Sequence, residues 1–202
     1  LNAMHSQQIK NVSWVMGGTV LMDNGYRRGE QQNRGRINNN LNWRSEKIDG
    51  LSAGINMNYS FEDGKLFFLW ANADSVLHPQ GGLDDSTTTL NTYTISRFNV
   101  DPYIIYYDKN EGKHSLHNRW FRNNNENLSN QNSLSNVFFS RYQYQKNLKR
   151  DFKLITGFSN TISTVNSQLY NKHEANNFAT FVQLDKKLKK FNFTSGLRME
   201  HF

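Results

Sequence analysis

The chain of 202 residues contains no cysteine, which removes disulfide scaffolds, thiolate metal sites and cysteine nucleophiles together. Proline occurs only as Pro79 and Pro102, as suits strands that must donate every ladder hydrogen bond. No stretch approaches ~18 uninterrupted apolar residues, so a transmembrane helix is excluded. That absence leaves transmembrane strands open, because each needs only about ten alternating residues. Leu1 to Lys10 carries no secretory signal, and the chain does not open with Met, so the expectation is a processed protein or an internal piece of a longer one. No G-x-S-x-G, P-loop or dinucleotide fingerprint occurs. Apolar residues make up 36%, low for a globular core of this size, whereas aromatics reach 13% and Asn is abundant. Neither the apolar fraction nor the charge places the chain among disordered sequences.

What the sequence does have is alternation. From Leu51, the odd positions read Leu51, Ala53, Ile55, Met57, Tyr59 and Phe61, while the even ones read Ser52, Gly54, Asn56, Asn58, Ser60 and Glu62. Side chains on a strand alternate faces, so all the apolar atoms fall on one side and the amides and hydroxyls on the other. The preceding segment repeats the design, with Gly35, Ile37, Leu41 and Trp43 against Arg36, Asn38, Asn40, Asn42 and Arg44. Two architectures fit: a water-backed antiparallel sheet, or a wall with lipid outside and an aqueous lumen inside.

The pattern predicts an all-β, antiparallel up-and-down meander of about nine long strands, at roughly 11–23, 33–45, 51–70, 91–108, 113–123, 133–146, 151–163, 175–186 and 190–202. Short connections are expected at 45–50, 108–112, 146–150 and 185–189. Longer ones are expected at 24–33, 71–90, 123–132 and 164–174. In a meander every second connection lies at the same end, so this reading puts short turns on one rim and long loops on the other, the arrangement of outer-membrane barrels. An odd strand count leaves two open edges, and an edge in hydrocarbon strands backbone groups at several kcal/mol each. The piece therefore reads as an arc of a large transmembrane β-barrel. Trp14, Trp43, Tyr59, Trp70, Tyr103, Tyr106, Tyr107, Trp120, Tyr142 and Tyr144 lie mostly toward strand ends, as an interfacial girdle would. The parity of 134–144 stays open, because Phe138 and Phe139 put bulky groups on both faces.

The net charge of +7 raises a nucleic-acid partner. The densest basic groups, Lys146, Lys149, Arg150 and Lys153, then Lys186, Lys187, Lys189 and Lys190, sit where alternating segments meet and read as solvated turns, so none is expected. His114 and His117 form an H-x-x-H, but an offset of three on a strand places the rings on opposite faces, and no metal is expected there.

The chain resembles TonB-dependent outer-membrane receptors, particularly the large ones of Bacteroidetes-type bacteria. The resemblance rests on Asn24-Gly25-Tyr26-Arg27, Arg34-Gly35-Arg36-Ile37-Asn38 and Gly50 to Tyr59. It continues through Phe67-Phe68-Leu69-Trp70, Asp101 to Tyr107, Ala179 to Asp185 and Ser195 to Glu200. It implies a twenty-two-stranded barrel in the outer membrane of a Gram-negative cell, an N-terminal plug domain inside it, and a TonB-box coupling it to inner-membrane energy. Neither plug nor TonB-box is visible here, and less than half the barrel would be present. The family has no catalytic residues, so no enzyme activity and no cofactor are expected. The implied function is energised uptake of a nutrient such as a siderophore, glycan, peptide or cobalamin-like ligand. The implied partners are the parent's own plug, the TonB complex, outer-membrane lipid and a surface lipoprotein.

Ligand contacts are expected at the loop rim, where connections carry variable groups above a rigid wall. Candidates are Arg27, Arg28, Trp70, His78, Asp84, Asp85, Asn123, Asn124 and Asn125. Arg would grip carboxylate or phosphate, and Trp would stack on a sugar or aromatic ring. Arg36, Asn38, Asn40, Asn42 and Arg44 would line the lumen or contact the plug. Two rivals remain: a smaller self-contained outer-membrane barrel acting as porin or adhesin, and a soluble β-sheet carbohydrate-binding module.

Overall fold

The computed structural model describes residues 1–83, 86–128 and 130–202. Among them are ten strands: β1 (Asn2–Ile9), β2 (Val12–Asp23), β3 (Gln31–Arg44), β4 (Leu51–Leu66), β5 (Asn91–Tyr107), β6 (Lys113–Asn127), β7 (Ser133–Leu148), β8 (Phe152–Ser167), β9 (Asn171–Lys187) and β10 (Asn192–His201). They form one sheet in chain order, every neighbour antiparallel. The expected all-β meander is therefore the fold. β1 and β10 do not pair with each other, so the sheet is an open arc.

Two expectations need correction. The strand count is ten, because β1 pairs with β2 from Asn2↔Thr19 to Ile9↔Val12. Its sequence, NAMHSQQI, mixes His and Gln into the apolar parity and so carries no alternating signal. The strand count therefore no longer argues for openness, which rests on the unpaired edges instead. Second, the connections expected at 123–132 and 164–174 shrink to 128–132 and 168–170. β8 and β9 pair through Ser163↔Ala175 to Ser167↔Asn171, a stretch polar on both faces, where the backbone ladder continues without an apolar pattern to announce it. Residues 24–30 and 67–90 alone still make that rim longer than the other, whose turns are 10–11, 45–50, 108–112, 149–151 and 188–191.

The register settles the faces. Leu41, Ile55 and Pro102 lie in one transverse row, and Ile37, Tyr59 and Phe98 in another. Farther along, Trp120, Phe138 and Ile162 share a row, as do Leu116, Tyr142 and Phe158. Phe138 thus belongs to the apolar face and Phe139, paired with Arg119 and Thr161, to the amide face. Rings interlock along the apolar face: Trp120 stacks on Phe138 at 6.0 Å and meets Phe98 edge-on at 5.5 Å. Trp14, Trp43, Tyr106, Tyr142 and Tyr144 also lie on it toward the short turns, whereas Tyr103 and Tyr107 face the amide side and leave the expected girdle.

Amide-face glycines seat the aromatics across from them. A Cβ at Gly54 would come within 2.4 Å of the Tyr103 hydroxyl, and one at Gly64 within 2.7 Å of Tyr93 Cζ. Each ring lies over its register partner, Gly54↔Tyr103 and Gly64↔Tyr93, an arrangement that returns to the glycine the packing its missing side chain forfeits. Pro102 lies in the interior strand β5, and the β5–β6 ladder is broken between Val100↔Trp120 and Tyr103↔His117, as a residue without an N–H requires.

Among the described residues there is no second layer. The buried apolar residues among those described are Phe67 and Ala179, with Pro79. The chain exposes 14562 Å², whereas a compact protein of 23.6 kDa exposes about 9,800 Å².

Candidate functional site

The long-loop rim is built on Phe67, which leaves the end of β4 fully buried beneath the loop 67–90. Pro79 is buried beside it and bridges to Trp70. Ala71 N donates to His78 O at 3.0 Å, Gln80 N to Leu69 O at 3.0 Å, and Thr89 Oγ1 to Leu69 O at 2.8 Å, folding the loop back on itself. Arg28 N donates to Leu77 O at 2.8 Å, tying in the loop 24–30. Gly29 has φ +84°, and Leu83 and Leu90 come so close that a side chain there would clash.

Arg27 packs its guanidinium 4.4 Å above the Phe67 ring and pairs with Glu30. The hydrogen bond to Glu30 raises its pKa above the ordinary arginine value. The residue expected to grip a ligand is thus already engaged in holding the two loops together. His78 lies half-buried, its Nδ1 without a protein partner. What the rim offers outward is aromatic: Tyr26 is 81% exposed, Phe68 78% and Trp70 53%. Arg28 is exposed beside them. Asp84 and Asp85 lie outside the described residues.

Asn123, Asn124 and Asn125 are corrected to strand residues, paired with Ser135, Leu134 and Ser133. Asn123 turns to the amide face and accepts from Arg97 Nε at 3.2 Å, while Asn124 turns to the other face and donates to Glu126 at 2.7 Å. The run Asn-Asn-Asn resembles a loop in composition, but the neighbouring strand satisfies its backbone and the ladder continues.

Arg36, Asn38, Asn40, Asn42 and Arg44 do share one face. They stand in register with Ser60, Asn58, Asn56, Gly54 and Ser52, all on the same side. Arg36 Nε donates to Asn38 Oδ1 at 2.9 Å, and Asn40 bonds Asn56 across the ladder. Toward the long-loop rim, Glu62 accepts from Gln32 Nε2 at 2.7 Å, Arg34 Nε at 2.9 Å and the Tyr93 hydroxyl at 3.1 Å. Next to it is a recess of about 250 Å³ lined by Tyr26, Glu30, Gln32, Lys65 and Tyr93. Further round, Asp101 takes a two-pronged contact from Arg119 at 2.7 and 2.8 Å, and Asn99 Nδ2 at 3.1 Å. These networks were missed in the sequence, because Arg34 and Glu62, or Asp101 and Arg119, meet only once the register is known.

The face is therefore an amide-lined surface on which Arg34–Glu62, Arg119–Asp101 and Arg198–Glu200 form ion pairs, while Arg36 and Arg97 bond to asparagine amides. It can present many hydrogen-bond donors and acceptors to a polar surface or solute at little electrostatic cost. His114 lies on the apolar face among Tyr106, Tyr142 and Tyr144, and His117 stacks on Tyr103 on the other, as the spacing requires. Among the described residues no three His, Asp or Glu gather around a point where a metal ion could sit. No family model, no curated protein and no solved structure matches this chain.

Proposed function

We propose that this chain is an arc of a TonB-dependent outer-membrane receptor barrel, supporting energised uptake of a nutrient too large or too scarce for simple pores. The carrying observation is the surface imbalance: the sheet exposes about half as much area again as a compact protein of its mass, and sorts that area into one apolar and one amide face. On β4 the apolar run from Leu51 to Phe61 covers ten steps of roughly 3.4 Å; tilted by about 45°, it spans about 24 Å, close to the apolar band of transmembrane barrels. Lipid meets the first face. The second, with Arg36, Asn38, Asn40, Asn42 and Arg44, lines the lumen and meets the plug of the parent protein. The long-loop rim, with Tyr26, Phe68 and Trp70 outermost, meets the ligand, which is of the siderophore, glycan, peptide or cobalamin-like kind. Gating belongs to the plug and the TonB complex, and a surface lipoprotein is a further partner above the loops.

A smaller self-contained barrel is the second reading, and the even count of ten strands favours it. It requires β1 to pair with β10. A soluble carbohydrate-binding module is disfavoured by the missing second layer.

The cysteine-free chain permits a direct test. Single cysteines replace Ile55, Asn56, Met57 and Asn58 in turn, and the membrane fraction is treated with a membrane-impermeant maleimide. Alternating labelling, with Asn56→Cys and Asn58→Cys reacting and the other two protected until detergent is added, is the expected result. Uniform labelling of all four, or a chain that stays monodisperse without detergent, overturns the reading. A β1–β10 disulfide forming between paired cysteines would favour the small barrel.

A further inference from the structure

The structure sorts charge by rim as well as loop length. Taking each short turn with three residues on either side, the five turns carry thirteen Lys and Arg against six Asp and Glu. That surplus equals the net charge of the whole chain, +7. The residues outside these turns sum to zero, eleven Lys and Arg against eleven Asp and Glu. The choice of cation is sorted too: eleven of the thirteen lysines lie at the short-turn rim, whereas nine of the eleven arginines lie elsewhere.

All of these lysines but Lys186, whose ammonium donates to the Arg150 carbonyl, are left available. Among the described residues none of them forms an ion pair. Two of the rim's acids are engaged internally: Asp108 accepts from the backbone of Gly112 and Asn110, both at 2.8 Å, and Asp185 accepts from Gln183 at 2.8 Å. The ammonium group of Lys186 lies 4.2 Å over the Phe152 ring and donates to the Arg150 carbonyl, and that of Lys113 lies 5.8 Å from the centre of the Tyr107 ring. Just inside the collar, on the apolar face, stand Trp14, Trp43, Tyr106, Tyr142 and Tyr144. Aromatic rings of this kind sit at headgroup level, so the lysines beyond them reach the phosphates.

We propose that the short-turn rim is a docking collar for anionic glycerophospholipid headgroups of the phosphatidylglycerol class. The proposal rests on the membrane reading above and adds which lipid the wall selects, and at which rim. Flexible lysines, each a compact charge with three donors, follow a mobile phosphate layer better than planar guanidinium groups built for fixed two-pronged contacts. Juxtamembrane lysines and arginines near an anionic surface each add to the attraction, and salt screens it. The β9–β10 turn, with Lys186, Lys187, Lys189 and Lys190 within five residues, is the strongest element.

The test is native mass spectrometry of the detergent-purified chain with equimolar phosphatidylglycerol and phosphatidylcholine. The expected result is retention of phosphatidylglycerol, lost on raising salt and weakened by about tenfold or more when Lys186, Lys187, Lys189 and Lys190 are all changed to Gln. A control changing Lys65 and Lys172, which lie outside the rim, leaves retention unchanged. Equal retention of both lipids, or an unaltered preference in the four-lysine variant, overturns the collar while leaving the membrane reading intact. Preferential retention of lipopolysaccharide over phosphatidylglycerol in a competing sample also overturns it. A chain that needs no detergent removes the membrane reading and the collar together.

Discussion

Replacing Ile55 by Arg sets the two faces of β4 against each other most directly. Ile55 stands between Leu41 and Pro102 in its row, four steps into the apolar run that begins at Leu51. On the proposed membrane reading, four steps of roughly 3.4 Å at about 45° place it about 10 Å into a band about 24 Å deep, close to the middle. A guanidinium there costs ~2–4 kcal/mol, which lowers the folded-to-unfolded ratio by roughly 30-fold to several hundredfold. Asn56 is one residue away but on the amide face, bonded to Asn40. Asn56→Arg loses one exposed amide contact and keeps the new charge in water, so its cost stays within about 1 kcal/mol. The assay is guanidinium unfolding of the vesicle-reconstituted chain, followed by tryptophan fluorescence and compared by midpoint. Equal shifts for the two variants would refute the assignment of lipid to the odd face of β4, and with it the depth argument.

Other substitutions probe separate parts of the wall. Glu62→Ala leaves Arg34, Gln32 and Tyr93 without their shared acceptor and is expected to cost about 1–3 kcal/mol by denaturant midpoint. Gly54→Val drives a side chain into Tyr103 and the Leu41 carbonyl; a loss of about 1–3 kcal/mol is expected, partly restored by adding Tyr103→Ala. Phe67→Ala empties the seat beneath Arg27 and should expose 67–90 to protease cleavage within that loop, while the hydrogen-bonded strands remain protected. The backbone N–H of Gly112, then that of Asn110 and the neighbouring His114, hold the Asp108 carboxyl below the usual carboxylate range. Because the folded value is the lower one, its contribution to the 108–112 turn is present above the ordinary value of roughly 3.9 and fades as pH falls through the folded value. The protection of the Gly112 amide from hydrogen exchange, relative to its intrinsic rate, should fall in that acid window, and Asp108→Asn should remove that change in protection.

How much could be read in advance differed along the chain. β4 was legible because Leu51 to Phe61 alternate without exception and both faces are sharply defined. β1 was not, since His5 and Gln7 occupy the apolar parity near the edge of the sheet, where little packing selects against them. The far ends of β8 and β9 were hidden for a related reason: Ser163, Thr164, Asn166 and Ser167 on β8 and Asn171 to Glu174 on β9 leave hydrogen bonding to keep the strands together after hydrophobic patterning has stopped. Arg36 to Arg44 could be assigned to one face from parity alone. Arg27 could not be placed in the pair with Glu30 above Phe67, because that requires the path of two loops, and Asn123 to Asn125 carried a composition typical of turns inside a regular ladder.

Every strand here bonds only to its neighbours in the chain, which shapes the order of assembly as well as the finished wall. Closing a hairpin across the three residues 149–151 costs little entropy, and so does each other short turn; the twenty-four residues 67–90 represent three doublings of that length. At ~0.6 kcal/mol per doubling, joining β4 to β5 costs about 2 kcal/mol more. The contacts of Phe67, Pro79 and Arg28 within and between the rim loops offset that penalty. The β4–β5 seam is therefore where zipping of this sheet is expected to pause, with β1–β4 and β5–β10 forming first as two separate ribbons.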